Sequence, residues 1–141
     1  SIEHDEVWYS KINSALKTKK YNNVTYSYNP PVKVENIEEQ IYYGKKYLRG
    51  LPKKKQFISY ANAISNYKDN YFDIIFIDGR ERMGCLANAI DKLKSGGIIV
   101  LDDSYRLKYS NFSKMVSNWE IKRFDYGYLQ TSILFKINTK G

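Results

Sequence analysis

The chain has 141 residues, a net charge of +8, 43% hydrophobic residues and a single cysteine. This length suits one domain with one core rather than two well-filled domains. The longest uncharged apolar runs, at 74–77 and 98–101, are far shorter than the ~20 residues that cross a bilayer, so no membrane partner is expected. One cysteine excludes an internal disulfide, and the acidic first residues lack a secretory leader pattern. We therefore expect a cytoplasmic protein.

The excess of positive charge is a feature that nucleic-acid-binding proteins share. Here the basic residues are mostly lysines spread along the length, with one tight cluster at 53–55. The sequence is also rich in Asn, Tyr and Ile, so a bias in genome composition explains the lysines equally well. No known nucleic-acid-binding motif is present. Nucleic acid is therefore not the partner that we expect.

Apolar patterning predicts strands and helices in alternation, which is typical of a parallel sheet covered by helices. Strand ends or strands are predicted at 1–3, 24–28, 72–77 and 98–101, and helices after Asp5 and at 35–48, 57–67, 81–94 and 112–119. The segments 121–124 and 131–137 are predicted to form an antiparallel hairpin around Gly127. The sequence therefore predicts an α/β domain that ends in a hairpin.

Three of these elements carry more detailed predictions. The helix after Asp5 has an apolar face made of Trp8, Ile12, Ala15 and Leu16 at helical spacing. The strand at 72–77 is almost continuously apolar, which is typical of a strand buried on both faces. The helix at 81–94 is predicted to end at the turn 95–97, with Cys85 packed near its core side.

The carboxyl ends of the predicted strands are where open α/β sheets bind ligands. Acidic residues follow three of four such ends, in the segments 3–5, 78–80 and 102–104, while the fourth end is 29–30. Carboxylates gathered at one edge of a sheet favour a ligand that carries hydrogen-bond donors or positive charge. Each has a structural alternative, because Asp5 and Asp103 could cap the segments that follow them and Asp78 could end its strand in a plain turn.

Two of these segments carry a resemblance to a known family. The stretch 71–79 reads YFDIIFIDG, and 93–103 reads LKSGGIIVLDD. Their sequences and separation resemble the fourth strand, following helix and fifth strand of class I S-adenosylmethionine-dependent methyltransferases. The similarity is to the branch that includes catechol O-methyltransferase and its bacterial relatives. The opening residues 1–5 look like the end of that family's second strand, and the C-terminal hairpin resembles its sixth and seventh strands.

The resemblance implies a Rossmann-like methyltransferase sheet, mostly parallel with a C-terminal antiparallel hairpin, in the strand order 3-2-1-4-5-7-6. Residues 1–141 would then form a single partial domain, from the end of the second strand to the seventh. The sequence contains no Gly-x-Gly, so the family's first strand and glycine-rich loop have no counterpart and the chain is expected to be a fragment. We expect either a gap between Ile2 and Ile75 or a closure unlike that of intact family members.

The resemblance also implies a binding site for S-adenosylmethionine. Glu3 would accept hydrogen bonds from the cofactor ribose, and His4 would lie along the adenine edge. Gly79 and Arg80 would approach the adenine from the end of the fourth strand, with Tyr60 reaching the base. The implied cofactor-binding residues are therefore Glu3, His4, Tyr60, Asp78, Gly79 and Arg80.

In metal-dependent members of this branch, acids after the fourth and fifth strands hold Mg²⁺. The matching residues are Asp78, Asp102 and Asp103, and oxygen donors suit such an ion. Asp103 stands where the family has an amide, and Glu81 stands near the position of its catalytic lysine. The residues expected in catalysis are Asp78, Asp103 and Glu81, which could deprotonate a hydroxyl acceptor. Nearby arginines, namely Arg80, Arg82 and Arg106, could receive an anionic acceptor or lie on the solvated surface.

The expected activity is methyl transfer to a hydroxyl of a small molecule or sugar. One alternative is a phosphoribosyltransferase, whose pyrophosphate motif also places Asp-Asp after a strand. That motif continues into a Thr/Gly-rich loop, whereas this sequence continues SYRLKY. The other alternative is a non-catalytic basic α/β domain on a degenerate methyltransferase fold, which binds a partner such as nucleic acid.

Overall fold

A computed structural model describes residues 1–32 and 57–137. In chain order the elements are β1 (Ile2–Glu3), α1 (Glu6–Thr18), β2 (Ser27–Tyr28), α2 (Ile58–Asn62), a 3₁₀ turn (Ala63–Asn66), β3 (Phe72–Ile77), α3 (Arg82–Ala89), β4 (Leu93–Leu101), a 3₁₀ turn (Leu107–Tyr109), α4 (Phe112–Met115), β5 (Glu120–Tyr126) and β6 (Leu129–Phe135). The helix predicted at 35–48 lies outside the described residues. No helix in the described ranges is long and apolar enough to span a membrane.

The strands form two separate sheets. β1 and β2 pair in parallel, with Ile2 opposite Ser27. The other four strands are ordered β3-β4-β6-β5, where β3 and β4 are parallel and β6 is antiparallel to both of its neighbours. This part of the chain is therefore an α/β structure with a mixed sheet, and the predicted C-terminal hairpin is confirmed. Gly127 adopts a left-handed conformation in its turn, with φ of 65°.

The core lies between α3 and the centre of the four-stranded sheet. Leu86 from α3 packs with side chains of β4 and β6 that are fully shielded from solvent, and residues of α2 and the α4 region close the cluster: Ala61, Met83, Leu93, Ile99, Leu101, Phe112, Val116 and Leu134. Burial of such side chains stabilises a fold by about 1.5–3 kcal/mol each. This core fixes the carboxyl ends of β3 and β4 beside each other.

The predicted helix at 81–94 is wrong at its C-terminal end. α3 ends at Ala89, and Leu93 already belongs to β4, where it pairs with Phe72. The pairing register shifts between Phe72 and Ile74, opposite the segment that contains Gly96 with φ of 77°. A glycine in this conformation permits a bulge inside a strand. The Ser-Gly-Gly segment at 95–97 is therefore an irregular part of β4 rather than a turn before it.

The prediction that the strand at 72–77 is buried on both faces is also wrong. In β3 the side chains of Ile74 and Phe76 are 63% and 64% exposed. β3 is an edge strand, because its one neighbour in the four-stranded sheet is β4. An apolar edge strand without a second neighbour is unusual, since proteins normally cover or charge such edges.

The helix α1 begins as predicted but packs through a different face. The Asp5 carboxylate caps it by accepting a hydrogen bond of 2.9 Å from the Trp8 backbone N–H. None of its residues is buried, and Trp8 and Ile12 are exposed. The helix contacts the small sheet through Tyr9 instead. The Tyr9 ring stacks on the rings of Tyr26 and Tyr28, with a centroid distance of 5.1 Å in each pair. Of the predicted apolar face, Trp8, Ile12 and Ala15 are therefore exposed, and Leu16 is half-buried.

Candidate functional site

A cavity of about 780 Å³ separates the two sheets. One wall is formed by Ile2 and Glu3 of β1, and the opposite wall by most of β3 and the residues that follow it, Asp78 and Gly79. Both Ile2 and Ile75 line this cavity, at the place where the resemblance implies either a gap or an altered closure. Because β1 and β3 both end at the cavity, polar residues at their carboxyl ends face a common space, as in ligand-binding α/β sheets.

The end of β1 presents a carboxylate in a defined orientation. Glu3 Oε1 accepts hydrogen bonds from the backbone N–H groups of His4, at 2.7 Å, and Asp5, at 2.8 Å. The same oxygen lies 3.0 Å from His4 Nδ1. These contacts use one carboxylate oxygen and hold the group against the cavity wall. A carboxylate held in this way can accept hydrogen bonds from a ligand without a large loss of side-chain entropy.

An aromatic cluster stands beside this carboxylate. The His4 ring packs edge-on against Phe57 and Tyr60, with centroid distances of 5.3 and 5.6 Å. Arg80 Nε donates to His4 Nε2 at 3.4 Å, and the Arg80 guanidinium lies 5.7 Å from the Phe57 ring. Phe57 is a member of this cluster that was not predicted from the sequence. Its one signal is the spacing to Tyr60, because residues three apart share a helix face.

Close packing joins Tyr60 to the end of β3. A Cβ atom added at Gly79 would lie 2.7 Å from Tyr60 Cζ and nearer still to the hydroxyl oxygen. Only glycine allows this approach. Burial raises the pKa of Tyr60 to about 12, so its hydroxyl is neutral at physiological pH and can donate a hydrogen bond.

The residues predicted to bind a cofactor are therefore neighbours in the structure. Five of them line the cavity, namely Glu3, His4, Tyr60, Asp78 and Gly79. The sixth, Arg80, contacts His4. They come from β1, α2 and the end of β3, and the fold brings them to one rim.

The three aspartates predicted to hold a metal surround an arginine. Arg82, which is 7% exposed, places Nη2 at 2.9 Å from Asp78 Oδ1 and Nη1 at 3.3 Å from Asp103 Oδ2 and 3.6 Å from Asp102 Oδ2. Within the described ranges no group of three His, Cys, Asp or Glu side chains is arranged to hold a metal. These residues do not fit the magnesium site that the resemblance implies, because a guanidinium already occupies the space between the carboxylates.

Arg82 and Arg106 are also not the free cations considered for an anionic acceptor. Arg82 is buried, and Arg106 pairs with Asp103 Oδ2. Asp103 has φ of 51°, in the left-handed region. Both arginines are therefore committed to the carboxylates after β4, and of the three rim arginines Arg80 alone contacts the aromatic cluster.

The pKa values of two neighbouring aspartates move in opposite directions. Burial, followed by a hydrogen bond to Asp102 and the charge of that carboxylate, raises the pKa of Asp78. Burial also acts to raise the pKa of Asp102, but hydrogen bonds from Thr131, Asp78 and the Asp103 backbone, together with the charge of Arg82, lower that pKa overall. Thr131 Oγ1 donates to Asp102 Oδ1 at 2.7 Å. Asp78 is therefore the member of the pair that binds a proton more readily.

The three residues predicted for catalysis do not meet at one point. Asp78 lines the cavity, and Asp103 reaches Asp78 only through Arg82. Glu81 does not line the cavity, and Lys108 is the charged group that acts to lower its pKa while burial raises it. Asp78 is thus the best placed of the three to act on a ligand in the cavity.

No protein-family model matches the sequence, and no curated protein matches it at a significant level. The cavity and its rim are therefore the features of the molecule that bear on function.

Proposed function

We propose that this chain forms the greater part of an S-adenosylmethionine-dependent methyltransferase domain that acts on a hydroxyl of a small molecule or sugar. The observation that carries the proposal is the convergence of Glu3, His4, Tyr60, Asp78 and Gly79 on one cavity. These residues are distant in sequence and were selected by their resemblance to the family's cofactor site. Their meeting at the carboxyl ends of two strands is the arrangement that such a site requires.

The strand order gives independent support. The four-stranded sheet has the order β3-β4-β6-β5, with its last pair antiparallel, and β1 and β2 form a separate parallel pair. This agrees with the family order 3-2-1-4-5-7-6 when the first strand is left out, since the gap then falls between the second and fourth strands. In the described part of the chain β3 pairs on one side alone, with β4, and its residues line the cavity, which is the edge where the family's first strand would pair.

The cavity suits the adenosyl part of the cofactor in size and chemistry. Small-molecule sites commonly enclose roughly 300–1,000 Å³ and combine apolar walls with a few polar groups. Glu3 can accept the two ribose hydroxyls, while the aromatic groups of His4, Phe57 and Tyr60 border the place for the adenine. Gly79 lets the Tyr60 ring approach the end of β3, so that this ring borders the cavity there. When bound, the cofactor supplies a methyl group already activated by its sulfonium.

The protein then has to orient the acceptor, exclude water and receive one proton. Asp78 is placed for the last task, because it lines the cavity and its raised pKa favours uptake of a proton from a hydroxyl. Arg82 Nη2 binds Asp78 Oδ1 and fixes the direction of the carboxylate. No step in this scheme uses a metal.

The test is a calorimetric titration of the full chain with S-adenosylhomocysteine. We expect saturable binding, and we expect Glu3→Gln to weaken it by roughly 10- to 100-fold, since a hydrogen bond to a charged group contributes about 1.5–3 kcal/mol. The matched control is Glu120→Gln, which changes an exposed glutamate on β5 far along the sheet. Absence of binding to the wild type, or equal affinity of Glu3→Gln and the wild type, would contradict the proposal.

A second candidate is a non-catalytic domain that binds single-stranded nucleic acid. It is favoured by the exposed basic and aromatic side chains of the hairpin, which include Lys122, Arg123, Tyr126 and Tyr128. Such surfaces bind nucleic acid by charge and by base stacking. Fluorescence anisotropy with a labelled oligonucleotide at several salt concentrations would distinguish the candidates. A steep loss of affinity with salt, together with no binding of S-adenosylhomocysteine, would favour the second.

A further inference from the structure

Arg82 is a buried arginine at the junction of two strand ends. It is the first residue of α3, directly after the segment that follows β3, and it is 7% exposed. Its guanidinium touches the carboxylates of all three aspartates after β3 and β4. It also donates to the backbone carbonyls of Gly79, at 3.1 Å, and Asp102. The Arg82 guanidinium thus forms hydrogen bonds and ion pairs with residues that follow both β3 and β4.

The chemistry of a guanidinium fits this position. It is planar, permanently charged and able to donate five hydrogen bonds in fixed directions. A buried charge is stable only when it is paired and hydrogen-bonded. Here three carboxylates and the backbone carbonyls of Asp78, Gly79 and Asp102 supply those partners, and Arg106 adds a second positive charge on Asp103. A divalent cation in the same space would lie against the guanidinium and repel it.

We infer that Arg82 is the permanent cation of this site and takes the place of a divalent metal between Asp78, Asp102 and Asp103. It holds the end of β3 to the end of β4, and Thr131 of β6 extends the connection through Asp102. Arg82 is therefore a positioning residue that orients the Asp78 carboxylate toward the cavity. Its role in methyl transfer rests on the proposed function, whereas its role as the resident cation does not.

The inference is tested with Mn²⁺ alone as the probe, on the full chain, by electron paramagnetic resonance of the free ion and by thermal unfolding. The variant is Arg82→Gln, and the matched control is Arg123→Gln, an exposed arginine of β5. We expect no Mn²⁺ binding at these aspartates in the wild type or the control. Arg82→Gln leaves the carboxylates without their counter-ion, so it should unfold at a lower temperature and bind Mn²⁺ at least about tenfold more tightly than the wild type. Mn²⁺ should then raise its unfolding temperature.

Two results would overturn the inference. One is Mn²⁺ binding by the wild type that Asp103→Asn abolishes, and the other is a folded Arg82→Gln protein that gains no affinity for Mn²⁺. If Arg82→Gln does not fold, the inference is tested on the wild type by paramagnetic broadening of its amide NMR signals on addition of Mn²⁺. Selective broadening of the amide signals of Asp78, Asp102 and Asp103 by Mn²⁺ would overturn the inference, and its absence would support it. None of these measurements uses S-adenosylhomocysteine, so a failure of the proposed function is seen separately.

Discussion

The contact between Tyr60 and Gly79 gives the sharpest test of the site geometry. We consider the substitution Gly79→Ala. The backbone of Gly79 lies outside the left-handed region, so alanine can adopt it. In an open position this change would stabilise the protein by about 0.4–1 kcal/mol, because it restricts the unfolded chain.

Because the space around Gly79 is occupied, we expect the substitution to destabilise the protein instead of stabilising it. The new Cβ would lie 2.7 Å from Tyr60 Cζ and closer to the hydroxyl oxygen. The ring tip must therefore retreat by roughly 1 Å, and such overpacking costs about 1–3 kcal/mol. Since this exceeds the gain in the unfolded state, we expect Gly79→Ala to lower the free energy of unfolding by about 1–2 kcal/mol.

The assay is urea unfolding followed by circular dichroism, carried out as a double-mutant cycle with Tyr60→Phe. Removing the hydroxyl removes the nearest atom but leaves Cζ at 2.7 Å, so the cost of Gly79→Ala should be smaller in the Tyr60→Phe background without disappearing. The same displacement of Tyr60 should weaken binding of S-adenosylhomocysteine. An equal cost of Gly79→Ala in both backgrounds would refute the packing argument.

Two further predictions follow from raised pKa values. Burial raises the pKa of the Cys85 thiol to about 12, and its Sγ donates to the Arg80 carbonyl. We therefore expect the thiol of the folded protein to react with a thiol reagent at pH 8 at least about a hundredfold more slowly than that of the protein unfolded in urea. Comparable rates would contradict this. The pKa of Tyr60 is raised from 10.0 to about 12, so its neutral form stabilises the fold fully below pH 10, and that contribution is lost as the pH rises through 12. Stability measured from pH 9 to 12 should therefore fall less in Tyr60→Phe than in the wild type, and parallel curves would show that Tyr60 is not responsible.

Several features of the fold could be predicted because short segments encode them. The apolar run at 72–77 forms β3, and the Asp5 carboxylate caps α1 through the adjacent backbone. The hairpin around Gly127 follows from two β-prone segments joined by a residue that adopts positive φ. Each of these depends on residues within a few positions of one another. The position of acidic residues at strand ends has the same local origin.

Other features depend on neighbours that are distant in sequence. The apolar run of β3 does not reveal that β3 lies at an edge of its sheet, or that the face carrying Ile74 and Phe76 is exposed. The end of α3 at Ala89 is set by the pairing of Leu93 with Phe72, which outweighs the helical spacing that continues to residue 94. Local periodicity describes which residues could share a face, whereas burial depends on what covers that face.

The candidate site shows the same division. From the sequence one can place Glu3, Asp78 and Asp102 at strand ends, because strand ends are local. Only the tertiary structure brings Glu3 and Asp78 to one cavity and encloses Arg82 between the aspartates. Arg82 lies two residues from the exposed Arg80, and the sequence around it does not indicate that it is buried. Its environment is decided by the register of β3 against β4, which brings the Arg82 guanidinium within 3.3 Å of the Asp103 carboxylate, 21 residues later in the chain.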